Sequence, residues 1–226
     1  MKQRFNMAKL LYLFSFLTGT MLIVSCHSSR KLSRETASEA KNGKAPVDTV
    51  FRIGAERRSV YLPVLKGKRI AVLANQTSRV GDVHLVDQLL EDSVNIVRVF
   101  APEHGFRGEA GPGDHVDSGI DSKTGLPIIS LYGSKRRPSE EDLCDIDLVI
   151  FDIQDVGVRF YTYISSLHYM MQECAARGIG VMVMDRPNPN GFYVDGPVLD
   201  TNFRSFVGIA PIPVVHGLTV GEYARM

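Results

Sequence analysis

Apolar and polar positions alternate in blocks along the chain beyond residue 50. Arg69 to Ala74 (RIAVLA) is an apolar run of strand length, Gln76 to Gly81 is a polar turn, and Val83, Val86, Leu89 and Leu90 then fall at helical spacing. Val94 to Phe100 reads as a second strand, followed by a long Gly-rich and acidic loop from Ala101 to Gly125. Leu126 to Leu131 is a third strand, and Pro138 to Leu143 opens a short helix. Leu148 to Ile153 is a fourth strand, apolar on both faces as a central parallel strand should be. Phe160, Ile164, Leu167, Met171 and Cys174 recur at helical spacing up to Gly178, and Ile179 to Met184 is a fifth strand. Val207 to Val215 offers a last one, which Pro211 and Pro213 restrict to an edge or irregular strand. Strands alternating with helices predict βαβ units, hence an α/β fold with a doubly wound, mostly parallel sheet.

The first fifty residues follow a different pattern. Lys2, Arg4 and Lys9 precede an uncharged stretch from Leu10 to Val24. That stretch is too short for a comfortable membrane span, which needs about 20 apolar residues. It has the layout of a secretory signal, residues 1–25. Ile23-Val24-Ser25-Cys26 resembles a bacterial lipobox, which makes Cys26 the expected lipidation site and membrane anchor. Residues 26–49 are polar and cannot bury enough surface to offset their ordering entropy, so they read as a tether. The folded domain is expected over 50–226. It is expected to be exported and lipid-anchored, facing the periplasm or the cell surface.

Charge and cysteine content narrow the partners. The net charge is +1, and loss of residues 1–25 removes three cations and no acid, leaving about −2. No basic excess points to nucleic acid. Cys144 and Cys174 would form a single disulfide or, as their surroundings favour, two buried thiols; no cysteine spacing suggests zinc. Gly217 to Ala224 begins a helix with Thr219 near its cap, and a chain that stops there reads as part of something longer.

In open α/β sheets, ligands bind beyond the carboxyl ends of the strands. Asn75, Gln76 and Thr77 follow the first strand; Glu103, His104 and Arg107 the second; Asp152, Gln154, Asp155, Arg159 and Tyr161 the fourth; Asp185, Arg186, Asn188 and Asn190 the fifth; and His216 the last. The third strand brings no such group. Short loops packed with Asp, Arg, His and Asn at most strand ends predict a functional cleft.

Three chemistries compete for that cleft. Ala74 to Gly81 lacks both G-x-G-x-x-G and the P-loop pattern, and Glu109 and Asp114 around Gly105 to Gly113 would repel phosphate, so a nucleotide is disfavoured. Glu103, His104, Asp152, Asp155, Asp185 and His216 carry oxygen and nitrogen ligands, which keeps a metal-dependent hydrolase open, although H-E-x-x-H is absent. A glycosidase usually needs two carboxyl groups. Glu103, in Ala101-Pro102-Glu103-His104-Gly105-Phe106, is the best acid, while Asp152, Asp155 and Asp195 compete for the second role. Asp155 reads equally as a helix cap, and Asp195-Gly196 as a turn. His104 and His216 would orient or polarise, or simply satisfy backbone groups. Tyr161, Phe160 and Phe192 are candidates to stack on a sugar, Phe160 reading better as core.

Five ordered segments carry a resemblance: Ala101–Gly108; Asp121–Pro127 leading to Ser130–Gly133; Phe151–Tyr163; Asp185–Gly191; and His216–Glu222. Together they resemble the exo-β-N-acetylmuramidases of glycoside hydrolase family 171, over about Ile53 to Met226. The resemblance implies a Rossmann-like catalytic domain with a smaller C-terminal auxiliary domain, the active site lying between them. It implies release of terminal N-acetylmuramic acid from the non-reducing end of peptidoglycan fragments, without a cofactor, and Glu103 as the catalytic glutamate. The auxiliary domain is missing from this chain, which alone would lack part of the cleft. Asp195 stands where many relatives would carry a glutamate. If the N-acetyl group attacks, Glu103 is the acid and Asp152 or Asp155 orients the amide. Arg159 and Arg186 would meet the lactyl carboxylate. Asn75, Gln76, Tyr161, Asp185, Asn188 and His216 complete the expected sugar contacts. A non-catalytic, surface-anchored glycan-binding protein is the remaining alternative.

Overall fold

The computed structural model describes residues 51–108, 111 and 116–226. Cys26, the tether, Glu109 and Asp114 lie outside them. In chain order the elements are α1 (Arg58–Leu65), β1 (Ile70–Ala74), the hairpin β2 (Arg79–Val80) and β3 (Val83–His84), α2 (Leu85–Glu91) and β4 (Ile96–Ala101). They continue with β5 (Gly119–Ile120), β6 (Pro127–Ser130), α3 (Glu140–Leu143), β7 (Leu148–Asp152), α4 (Tyr163–Ala175), β8 (Gly180–Val183) and α5 (Val220–Arg225).

Six strands form one sheet in the order β5-β6-β4-β1-β7-β8. All pairings are parallel except β5 with β6. The chain runs from β1 outward through β4 to β6, then returns to the far side of β1 as β7 and β8. The order therefore reverses beside β1, and the crevice of an open α/β sheet opens at such a point. The doubly wound, mostly parallel sheet expected from the sequence is present.

Why these runs become strands is visible in their burial. Every residue of β1 and of β7 is buried. Side chains alternate between two cores: Ala71, Leu73, Val149 and Phe151 face α3, α4 and α5, whereas Ile70, Val72, Ala74 and Ile150 face α1 and α2. Burying a side chain such as Phe151 contributes roughly 1.5–3 kcal/mol. In α2, Leu85, Val86 and Leu89 present one apolar stripe; in α4, Ile164, Leu167, Met170 and Cys174 do the same. The expected start at Pro138 is a capping box: the Ser139 hydroxyl accepts from Asp142 N–H, and Asp142 accepts from Ser139 N–H.

Four sequence expectations are corrected. Val83 belongs to the β2–β3 hairpin and is exposed, because α2 starts only at Leu85. Phe160 is 60% exposed and precedes α4, so it is not core. Val207 to Val215 forms no strand, only isolated bridges of Val215 to Val158 and Asp195 and of Ser205 to Gly208. Of the two cysteines, both free, Cys174 is buried but Cys144 is exposed.

Candidate active site at the carboxyl edge of the sheet

Register puts the site's loops side by side. Ala101 at the end of β4 pairs with Ser130 at the end of β6, so Glu103 and Tyr132 leave the sheet two residues beyond paired positions. The Tyr132 hydroxyl donates to Glu103 Oε1 at 3.0 Å. Glu103 is half-buried in a turn closed by Gly105 N–H donating to the Pro102 carbonyl. His104 occupies the left-handed region at φ 73°, which side chains other than glycine rarely adopt. Gly108, at φ +80°, lies on Gln76: an added Cβ would come within 2.9 Å of the Gln76 Cβ. The Glu103 loop thus rests directly on the loop after β1.

That second loop is internally wired. Asn75 is fully buried; its Oδ1 accepts from the Thr77 N–H at 2.8 Å and the Thr77 hydroxyl at 2.6 Å. Ser78 Oγ accepts from the Asn75 N–H at 2.9 Å and donates to the Asp152 carbonyl. The Gln154 N–H donates to Thr77 Oγ1 at 2.9 Å, tying this loop to the one after β7. His84 pins it from behind: one ring nitrogen meets the Asn75 carbonyl at 2.9 Å, and the other accepts from the Val86 N–H at 3.2 Å, capping α2. Burial lowers the His84 pKa, favouring the neutral ring that this cap requires.

Tyr163, at the start of α4, packs edge-on against Tyr161 with ring centroids 4.9 Å apart. Burial raises its hydroxyl pKa, with smaller contributions from Tyr161 and from the charge of Glu103, and its hydroxyl lies beside Asn75. Among the described residues, ten buried side-chain polar atoms have no hydrogen-bond partner, and five of them lie along this edge: Asn75 Nδ2, Gln76 Oε1, Tyr163 OH, Asp155 Oδ1 and His216 Nε2. Such atoms are rare in folded proteins; the other five are on Gln88, Asp92, Arg98, Arg177 and Tyr223.

The remaining carboxylates have other occupations. Asp152 is fully buried at the end of β7 and held by Arg186, Nε to Oδ1 at 2.6 Å and NH2 to Oδ2 at 3.0 Å. Burial raises its pKa and Arg186 works against that shift. Arg186 also donates to the Arg79 carbonyl at 2.9 Å. Asp155 does not cap α4, whose N-cap is Thr162; its Oδ2 accepts from the Gly157 N–H at 2.7 Å. His216 Nε2 approaches that oxygen at 3.7 Å, while Nδ1 accepts from the Leu218 N–H at 3.2 Å. Asp195 is exposed, and its carboxylate accepts from the Gly196 N–H at 2.7 Å in a turn. Asp185 caps α5, Oδ1 accepting from Gly221 N–H and Oδ2 from the Thr219 hydroxyl, each at 2.8 Å. Asn188 Nδ2 donates to the Leu218 carbonyl at 2.9 Å.

One expectation changes accordingly. Arg186 is not a free cation for a substrate carboxylate, because its charge is paired with Asp152 through Nε and NH2. Arg159 is oriented by its NH1, which donates to the Pro197 carbonyl at 2.9 Å and the Ile212 carbonyl at 2.5 Å, and no carboxylate among the described residues neutralises it. Tyr132 and Tyr163 were not singled out from sequence. Tyr132 does stand in the Ser130–Gly133 segment, where strand pairing was the missing signal. Among the described residues, no three His, Cys, Asp or Glu side chains gather as they would around a metal ion.

Comparison with known proteins agrees with the fold. Residues 70–226 match the family described as exo-beta-N-acetylmuramidase NamZ, N-terminal. The chain is 42% identical to the peptidoglycan beta-N-acetylmuramidase NamZ of Bacillus subtilis (strain 168), covering 95% of this chain and 51% of that protein. Two crystal structures of DUF1343 family proteins from Bacteroides fragilis NCTC 9343 are similar. One is 51% identical with a TM-score of 0.67, covering 75% of this chain and 44% of the other. The second is 39% identical with a TM-score of 0.71, covering 77% and 44%. The chain spans about half the length of the curated relative it matches. With a doubly wound sheet, a buried polar edge and a match over most of its length, the chain belongs to the NamZ N-terminal family of exo-β-N-acetylmuramidases.

Proposed function

We propose that this domain supplies the catalytic acid of an exo-β-N-acetylmuramidase, which releases terminal N-acetylmuramic acid from the non-reducing end of peptidoglycan fragments. The observation that carries the reading is the Glu103–Tyr132 hydrogen bond at the carboxyl edge of the sheet. The Glu103 carboxyl protonates the departing glycosidic oxygen; the Tyr132 hydroxyl fixes which way that carboxyl faces. The Asn75 side chain and the Tyr163 hydroxyl lie beside one another and are buried, so they support this edge from within. With Asp152 committed to Arg186, the acetamido group of the substrate is the better candidate for internal nucleophile than any described carboxylate. His104 sets the turn that presents Glu103. Tyr161 lines the approach beside Tyr163, and Gln76 supports the loop.

The same reading places the protein outside the cytoplasm. Cys26 is the anchor, residues 26–49 the tether, and peptidoglycan-derived muramic acid glycans the partners. Labelling with a palmitate analogue should mark the wild-type chain and leave Cys26→Ser unmarked; equal labelling would remove the anchor.

The test of activity uses the full-length protein with a chromogenic β-N-acetylmuramide, its N-acetylglucosamine counterpart, and a chelator. Release from the muramide, insensitive to chelator, is expected. Glu103→Gln should lower kcat by roughly 10²–10⁴ with an unchanged thermal melt. A wild-type protein that folds and releases nothing would sink the reading.

A further inference from the structure

The loop leaving β6 reads Tyr132-Gly133-Ser134-Lys135-Arg136-Arg137. It begins with the residue that holds Glu103 and ends in three consecutive cations. Two of them are neutralised inside the fold. Lys135 Nζ meets Asp142 Oδ2 at 2.6 Å. Arg137 meets Glu173 at 3.2 Å and lies 3.6 Å from the centre of the Tyr169 ring. Arg136 differs: among the described residues no carboxylate pairs with it. Its guanidinium sits 4.6 Å from the centre of the Phe206 ring, which positions the charge without neutralising it. Residues 133–137 and Tyr169 line an open pocket of about 540 Å³. Arg136 is also close enough to Tyr132 for its charge to lower the pKa of that hydroxyl, against the stronger upward pull of Glu103.

A muramic acid differs from glucosamine by a lactyl ether, whose carboxylate is carried on the same ring as the scissile bond. Arg186 is paired with Asp152, and Arg159 is turned by its NH1 onto the Pro197 and Ile212 carbonyls, whereas the Arg136 fork makes no hydrogen bond or ion pair among the described residues. We infer that Arg136 receives the lactyl carboxylate of the terminal sugar, a role that rests on the muramidase reading above and makes the β6 loop its specificity element. One short loop then carries both the residue that orients the acid and the residue that selects the sugar. An exposed arginine backed by an aromatic ring suits a carboxylate, because its planar fork can make two hydrogen bonds at once.

The experiment compares the full-length wild type with Arg136→Ala, Arg136→Gln and Arg136→Lys. Substrates are a chromogenic β-N-acetylmuramide, its lactyl methyl ester, and a muramide whose lactyl group is amide-linked to a short peptide. Wild type should prefer the free acid over the ester by roughly tenfold in kcat/KM, mostly through KM. Arg136→Ala and Arg136→Gln should lose that preference, and Arg136→Lys should recover part of it. Calorimetry of N-acetylmuramic acid binding in a Glu103→Gln background should show the same ordering without turnover. If Arg136→Ala folds and keeps the preference for the acid, the subsite is wrong while the muramidase reading stands. If dependence on Arg136 persists on the amide-linked substrate, the carboxylate being read is the peptide's, and the lactyl assignment falls. If wild type neither binds nor cleaves any muramide, both fall together.

Discussion

Arg186 grips Asp152 with two hydrogen bonds of 2.6 and 3.0 Å beneath the carboxyl edge of the sheet. Neither side chain is appreciably exposed, at 8% and 0%. Removing one partner strands the other charge in the interior. Arg186→Ala is expected to cost about 3–5 kcal/mol, read from urea unfolding. Arg186→Lys should recover only part of this, because an ammonium cannot span both oxygens. If Arg186→Ala melted like wild type and lost only affinity for muramides, a substrate-facing role would return.

Tyr132 acts through another group. Tyr132→Phe removes a hydroxyl that is hydrogen-bonded to Glu103 and only partly buried, so the fold should survive. We expect kcat to fall about tenfold with KM little changed, consistent with one hydrogen bond to a charged group. A rise in KM at constant kcat would show instead that the hydroxyl binds substrate.

Gly157 has two reasons to be glycine. Its φ is +77°, and a Cβ there would lie 2.1 Å from Asn188 Oδ1. Gly67 shares the backbone conformation, at +74°, but nothing lies within 4 Å of its Cβ position. Gly67→Ala should therefore cost about 1 kcal/mol, from backbone strain alone. Gly157→Ala should cost more by roughly 1–3 kcal/mol, because the Asn188 side chain must also move. Equal losses in the two variants would mean that Asn188 gives way freely.

Arg107 bridges Asp121 and Asp87 at 2.7 and 2.9 Å and so fixes the loop that follows Glu103. The hydrogen bond from Arg107 holds the Asp121 carboxyl well below its ordinary range. The proton is then bound more readily by the unfolded chain. Stability from this group is complete above the ordinary carboxylate pKa of about 4 and declines as pH falls through the lowered folded value. Asp121→Asn should lower stability near neutrality by about 2 kcal/mol and flatten the acid limb of a stability–pH profile. An acid limb identical to that of wild type would exclude Asp121 as its source.

The sheet was legible because its strands are buried on both faces: β1 and β7 are apolar almost throughout and could be little else. The strand order was not, since apolar runs carry no label for their neighbours. The same limit governs the site. Asp152 and Arg186 stood out as polar groups at strand ends, but that position is shared by catalytic groups and by structural ion pairs, and only distance separates the two. Tyr132 was passed over because the third strand appeared to end in nothing chemical. It becomes important through the pairing of Ala101 with Ser130, a relationship between segments far apart in sequence. Glu103 stood out as a candidate because a Pro and a Gly frame it, and the turn they imply is present.

Asp185 touches two distant parts of the chain at once: its carboxylate caps α5, and its carbonyl accepts the Gly54 N–H at 2.8 Å. It follows directly after β8, the strand at one margin of the sheet. An open margin is a template on which a foreign strand can assemble. Here one end of that template is closed by the molecule's own Gly54 turn and by the helix hung from Asp185. The opposite margin, β5, is only two residues long. The fold thus limits edge-to-edge polymerisation through its sheet using residues that also finish the rim of the carboxyl edge, so a lesion at Asp185 should surface as aggregation before it surfaces as lost chemistry.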